Sequence, residues 1–156
     1  QIAFNMRPSS LDDLGLAPAL NRDLVTLGRS AGFDVSFRSH NPDDISLPTE
    51  IEVGLYRIVH ASLMNTVRHA GASSVAVVLS ALPVGEGHRV SVLIEDDGVG
   101  FDVDAVLSGP VEGRFGLLAM QERARLMGGE TTFSSVLGQG TVVLIESMVA
   151  RRRAPE

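Results

Sequence analysis

The sequence predicts a two-layer α/β sandwich in which a mixed, mostly antiparallel sheet carries its helices on one face. Two patterns lead there. Apolar residues recur three or four apart over 16–27 and again over 51–70, the spacing of helices that bury one side. The strand-like stretches come in consecutive pairs, 75–79 with 90–94 and 131–135 with 141–147, which favours a sheet closed by hairpins over a doubly wound parallel one. At 156 residues, with 44% hydrophobic and 21% charged side chains, the chain fits one domain with a real core.

Taken in order, 1–10 (QIAFNMRPSS) reads as a connector, because Pro8 stops any helix entering from upstream. Ser9 or Ser10 with Asp12 and Asp13 opens a helix that Leu16, Leu20, Leu24 and Leu27 continue and Gly32 ends. Phe33, Val35 and Phe37 alternate with polar residues as in a half-buried strand, and 41–48 is a polar loop. The helix of Ile51–Ala70 follows. Ile51, Leu55, Ile58, Val59, Leu63, Thr66 and Ala70 share its core side, and Gly54, Ala61, Asn65, Arg68 and His69 form an adjoining strip. A hairpin turns at Gly85-Glu86-Gly87. Residues 102–115, with Gly109, Pro110 and Gly113, read as a mobile loop holding at most one short helical turn. A helix starts at Gly116, places Leu117, Met120, Ala124 and Met127 on one side, and is capped by Gly128-Gly129. The last strand pair turns at Gly138-Gln139-Gly140, and 149–156 is a polar tail, so the domain proper is expected over 11–148.

Composition narrows the function. A net charge of −6 disfavours a nucleic-acid surface, which needs clustered Lys and Arg, and Arg151-Arg152-Arg153 suits a solvated tail. Zero Cys removes disulfides and thiolate metal sites and fits a reducing compartment; no run of roughly 18 apolar residues marks a membrane span. A start at Gln1 suggests a fragment of something longer, soluble and cytoplasmic.

Four stretches converge on nucleotide binding. Asp96-Asp97-Gly98-Val99-Gly100 ends a buried strand, where glycines let the backbone approach a flat ligand and the Asp96 carboxylate can accept from an exocyclic amine. Gly113-Arg114-Phe115-Gly116-Leu117 opens a helix whose first amides suit phosphate oxygens. Gly138-Gln139-Gly140-Thr141 and the Asn65, Arg68, His69 strip complete the set. Alone, each also suits a plain turn, a helix start or a hydrogen-bonded structural residue.

In this order, LYRIVxxxLxNxVRHAGAS, DDGVGF, FGLLxMxERARLMGG and GQGT resemble the catalytic ATP-binding domain of sensor histidine kinases, in the nitrate/nitrite-sensor-like subgroup of a superfamily that includes gyrase and MutL. The resemblance covers nearly the whole chain. It implies a Bergerat-type α/β sandwich holding ATP between the central helix and a lid at 102–115. It further implies that Asn65 holds Mg²⁺, Arg68 faces the phosphates, His69 lies against adenine, and Asp96 accepts from the adenine amine. Gly98 and Gly100 would let the strand end approach the base, Gly116 and Leu117 would open the lid helix, and Thr141 would sit beside Asp96. The γ-phosphate would go to a histidine on a dimerisation domain outside this chain, in a homodimer that signals to a response regulator; the fragment alone would be a monomer. Three positions depart from the family: Ala61 stands where an acidic residue is usual, Arg114 where a further glycine is usual, and Ala119 where another glycine is common. Ala61 leaves a nucleotide-binding regulatory module as a second reading, and an anti-sigma-factor serine kinase is a third.

Overall fold

The computed structural model describes residues 15–40, 47–66, 71–109 and 111–150, and within the last stretch the side chains of 116–149. Helix α1, Leu16–Ala31, buries Leu16, Ala19, Leu20 and Leu24 and stops at Gly32, whose left-handed backbone sends its N–H to the Gly28 carbonyl at 2.8 Å. Strand β1, Asp34–His40, follows. Helix α2, Thr49–Asn65, starts behind Pro48 with Glu50 and Glu52 in its first turn, where acidic groups favour the helix dipole. It begins directly after the loop expected over 41–48, two residues ahead of Ile51. Leu55, Ile58, Val59 and Leu63 are fully buried on the predicted face, and Ala70 lies outside the described residues. Strands β2, Ser74–Val84, and β3, Gly87–Asp96, join through the two-residue turn Gly85-Glu86.

The stretch after β3 differs from expectation. It holds a short helix α3, Val103–Ser108, and a helix α4, Val111–Leu126, that begins five residues before Gly116. Asp102 caps α3 by accepting the Ala105 N–H at 3.0 Å. Reading Gly113 as a breaker is what hid the start of α4. One glycine inside a helix costs only about 1 kcal/mol relative to alanine, and burial of Leu117, Met120 and Ala124 offsets that. Strands β4, Gly129–Val136, and β5, Gly140–Ala150, close the chain, and β5 runs past the expected boundary at 148.

The sheet has the order β1-β2-β3-β5-β4, with β1 and β2 parallel and the other pairs antiparallel. Val75, Val77, Leu79 and Ala81 on β2, Val90, Val92 and Ile94 on β3, and Val143 and Ile145 on β5 form the buried side of the alternation, against α1, α2 and α4. The expected two-layer arrangement is present. No helix among the described residues is long and apolar enough to cross a membrane.

Candidate functional site

Among the described residues the buried polar side chains are Ser62, Thr66, Asp96, Thr141 and Ser147. Ser147 is satisfied by the Met127 carbonyl at 2.9 Å. The other four gather where the C-terminal end of α2 meets the end of β3 and the start of β5. Buried polar groups without a structural ladder to serve mark a place where something polar is handled.

Asp96 ends β3 on the helix-facing side. Its Oδ1 accepts the Gly98 N–H at 2.9 Å, and its Oδ2 lies 3.4 Å from the Thr66 hydroxyl. That hydroxyl also lies 3.2 Å from the Ser62 carbonyl, so its single proton is divided between two acceptors and Oδ2 keeps acceptor capacity. Thr141 stands directly opposite Asp96 in the antiparallel register, and both side chains are only 9% exposed. Strand alternation thus puts a carboxylate and a hydroxyl side by side beneath α2.

Two glycines make this corner possible. Gly100 has φ 68°, and a Cβ there would stand 2.1 Å from the Val136 carbonyl oxygen. Gly140 has φ 90°, and its Cβ would meet the Asp96 carbonyl oxygen at 2.1 Å. Only glycine accommodates both the backbone angle and the approach. Ser135, which sequence reasoning did not single out, ties the two loops: its Oγ accepts the Phe101 N–H at 2.8 Å, reaches the Gly140 carbonyl at 3.0 Å and contacts Thr141 Oγ1 at 2.8 Å. Its signal was faint, a serine on the helix-facing parity of β4 just before the glycine turn.

Asn65, the last residue of α2, is half-buried and faces α4: a Cβ on Gly116 would lie 3.4 Å from Asn65 Nδ2. The structure therefore brings Asn65 and Gly116 together on one side of the corner and Asp96, Gly98, Gly100 and Thr141 on the other. Because α4 begins at Val111, Gly116 and Leu117 sit in its second turn. Their amides are inside the helix, and the free first-turn amides belong to 111–114, which corrects the expectation that Gly116 opens the helix. Leu117 points into the core and is 7% exposed. Arg68 and His69 lie outside the described residues, as does the Arg114 side chain.

No group of three or more His, Cys, Asp or Glu able to hold a metal occurs among the described residues. A cation here would rest on the Asn65 oxygen with ligand and water oxygens, as Mg²⁺ commonly does. A pocket of about 290 Å³ does occur, lined by Asp34, Ser36, Ser74, Ala76, Glu95 and Gln139 among others. Ser74, Ala76 and Glu95 stand on the strand parity opposite the buried side chains, and the pocket adjoins the corner at Asp96 and Asp97, which also line it.

Among known proteins, the chain is 33% identical over 145 residues to the signal transduction histidine-protein kinase/phosphatase DegS of Brevibacillus brevis, spanning 93% of this chain and 35% of that one. It is 32% identical to the oxygen sensor histidine kinase NreB of Staphylococcus carnosus, over 93% of this chain and 40% of that one. The chain thus spans about two-fifths or less of the length of these relatives. The blue-light activated histidine kinase of Erythrobacter litoralis EL346 shares the fold, with a TM-score of 0.64 at 23% identity over 87% of this chain and 42% of that one. The model of the histidine kinase-, DNA gyrase B-, and HSP90-like ATPases matches residues 50–150, and the chain belongs to that family.

Proposed function

We propose that this chain is the catalytic ATP-binding domain of a cytoplasmic sensor histidine kinase module, which binds Mg-ATP and donates the γ-phosphate to a histidine on a dimerisation domain outside the chain. The observation that carries this is the buried Asp96–Thr141 pair facing the Asn65–Gly116 contact across one corner. When bound, Mg-ATP supplies the transferable phosphoryl group and the metal charge that offsets its negative oxygens. The chain's own residues supply recognition and positioning. Asp96 accepts from the adenine amine, and Thr141 lines the floor beside it. Gly98 and Gly100 keep the end of β3 close to the base, and His69 lies against the ring. Asn65 contributes its side-chain oxygen to the metal, and Arg68 faces the phosphates. Gly116 keeps the space beside Asn65 free of a side chain. The acceptor domain would pair two copies of the protein, and a response regulator would take the phosphoryl group onward.

Ala61 supports a second reading, a nucleotide-binding regulatory module without turnover, since no carboxylate stands one turn before Asn65. Phosphohistidine formation by the full-length protein separates the two. The test of binding itself is calorimetric titration with Mg-ADP: Asp96→Asn should weaken affinity by about 10- to 100-fold, because the amide gives up one charged acceptor beside the amine. Equal affinity in parent and variant, or no binding by the parent, refutes the assignment.

A further inference from the structure

Ser135 has one proton and two lone pairs, and it makes three contacts. The Phe101 amide can only donate, so Ser135 Oγ accepts there. The Gly140 carbonyl can only accept, so the serine proton goes there. The third contact, to Thr141 Oγ1 at 2.8 Å, is then left with one polarity: Thr141 donates to Ser135. Thr141 consequently turns its proton away from the corner and leaves its lone pairs toward it. Beside it Asp96 Oδ2 is also an acceptor, with only a shared proton from Thr66 at 3.4 Å.

We propose that Ser135 is a specificity-determining positioning residue, which fixes the Thr141 hydroxyl so that the buried floor presents acceptors alone. Such a floor takes an exocyclic amino group and disfavours an oxo group at the same place, whose lone pairs would face Asp96 and Thr141; the ring N1–H of an oxo base is the one proton left to offer them, which makes the discrimination partial. Leaving buried acceptors unpaired is what discriminates, because neither partner regains its water. This inference rests on the nucleotide reading above and adds the device that selects the base.

The test compares ADP with inosine diphosphate, which carries an oxo group in place of the amine, by titration of the parent chain, Ser135→Ala, Ser135→Thr and Thr141→Val. With Ser135→Ala the Thr141 hydroxyl is free to turn and donate to the oxo group, so the ratio of ADP to inosine diphosphate affinity should fall by about tenfold. Ser135→Thr retains the hydroxyl and should keep the parent ratio. Thr141→Val removes one acceptor and should lower the ratio without depending on how Ser135→Ala folds. In the Thr141→Val background, Ser135→Ala should leave the ratio where it is. Equal loss of both affinities in Ser135→Ala, or an unchanged ratio in Thr141→Val, overturns the proposal while leaving nucleotide binding intact. A parent that binds no ADP overturns both.

Discussion

Asp96 and Asp97 are adjacent carboxylates with opposite tasks. The first faces the helices; the second accepts the Ser73 hydroxyl at 2.6 Å and the Ser73 and Ser74 amides at 2.8 and 3.0 Å, tying the end of β3 to the start of β2. The Ser73 hydroxyl, followed by the two amides, holds the Asp97 carboxyl down at about 2. A folded value below that of the unfolded chain means the folded state binds this proton less readily. The contribution is complete above the ordinary carboxylate range near pH 4, and fades as pH falls toward 2. Asp97→Asn imitates the protonated form. Its melting temperature should lie below the parent's at pH 7 and converge on it by about pH 2. A gap that stays constant over that range would remove the carboxylate from the account.

At the scale of elements, α2 is the piece on which the helical layer is registered. Its Tyr56 hydroxyl donates to Asp23 of α1, and burial, followed by that carboxylate, holds the phenol well above its usual range, so it remains a donor. Its other flank meets α4 antiparallel: a Cβ on Gly54 would fall 2.1 Å from Met127 Sδ, and the Gly116 position adjoins Asn65. Ala61 lies on this flank, half-buried, one turn before Asn65. A carboxylate there reaches toward the Asn65 end of the seam, where it can orient an attacking group, a contribution commonly of about 10²–10⁴-fold. In a full-length protein, Ala61→Glu should therefore raise phosphohistidine formation while ADP affinity stays within a few-fold. The same seam is tight, so the variant should also melt lower, overpacking costing about 1–3 kcal/mol. A folded variant with no gain in rate would show that Ala61 serves packing alone.

For the molecule as a whole, the layers and the strand pairs were legible because their signals are local. The three-and-four spacing of Leu55, Ile58, Val59 and Leu63 and the alternation of Val75, Val77 and Leu79 each state which side is buried. The corner was legible only in part. Asp96 could be named from its loop, and Thr141 beside it from the family resemblance; periodicity alone would not have paired them, because the register that sets them opposite each other joins strands 45 residues apart in the chain. Ser135 was missed because a hydroxyl's value lies in three partners from two other loops. The early start of α4 was missed because packing overrode a glycine. The same geometry bears on where the phosphoacceptor is. His88 sits eight residues before Asp96 on β3, about 26 Å at strand rise, and His40 ends β1 six residues beyond Asp34, about 20 Å from the Asp97 end of the sheet. His60 lies on the α1 side of α2, its ring 6.2 Å from that of Tyr56, turned away from Asn65, and its burial lowers its basicity. In-line transfer needs the reacting atoms within about 3–3.5 Å, which none of these three can reach in the folded chain. Incubated with γ-labelled ATP, this chain alone should acquire no acid-labile phosphate, whereas on the proposed reading a longer protein that includes the dimerisation domain should. Stable label on any of the four histidines of the isolated chain would overturn the placement of the acceptor outside it.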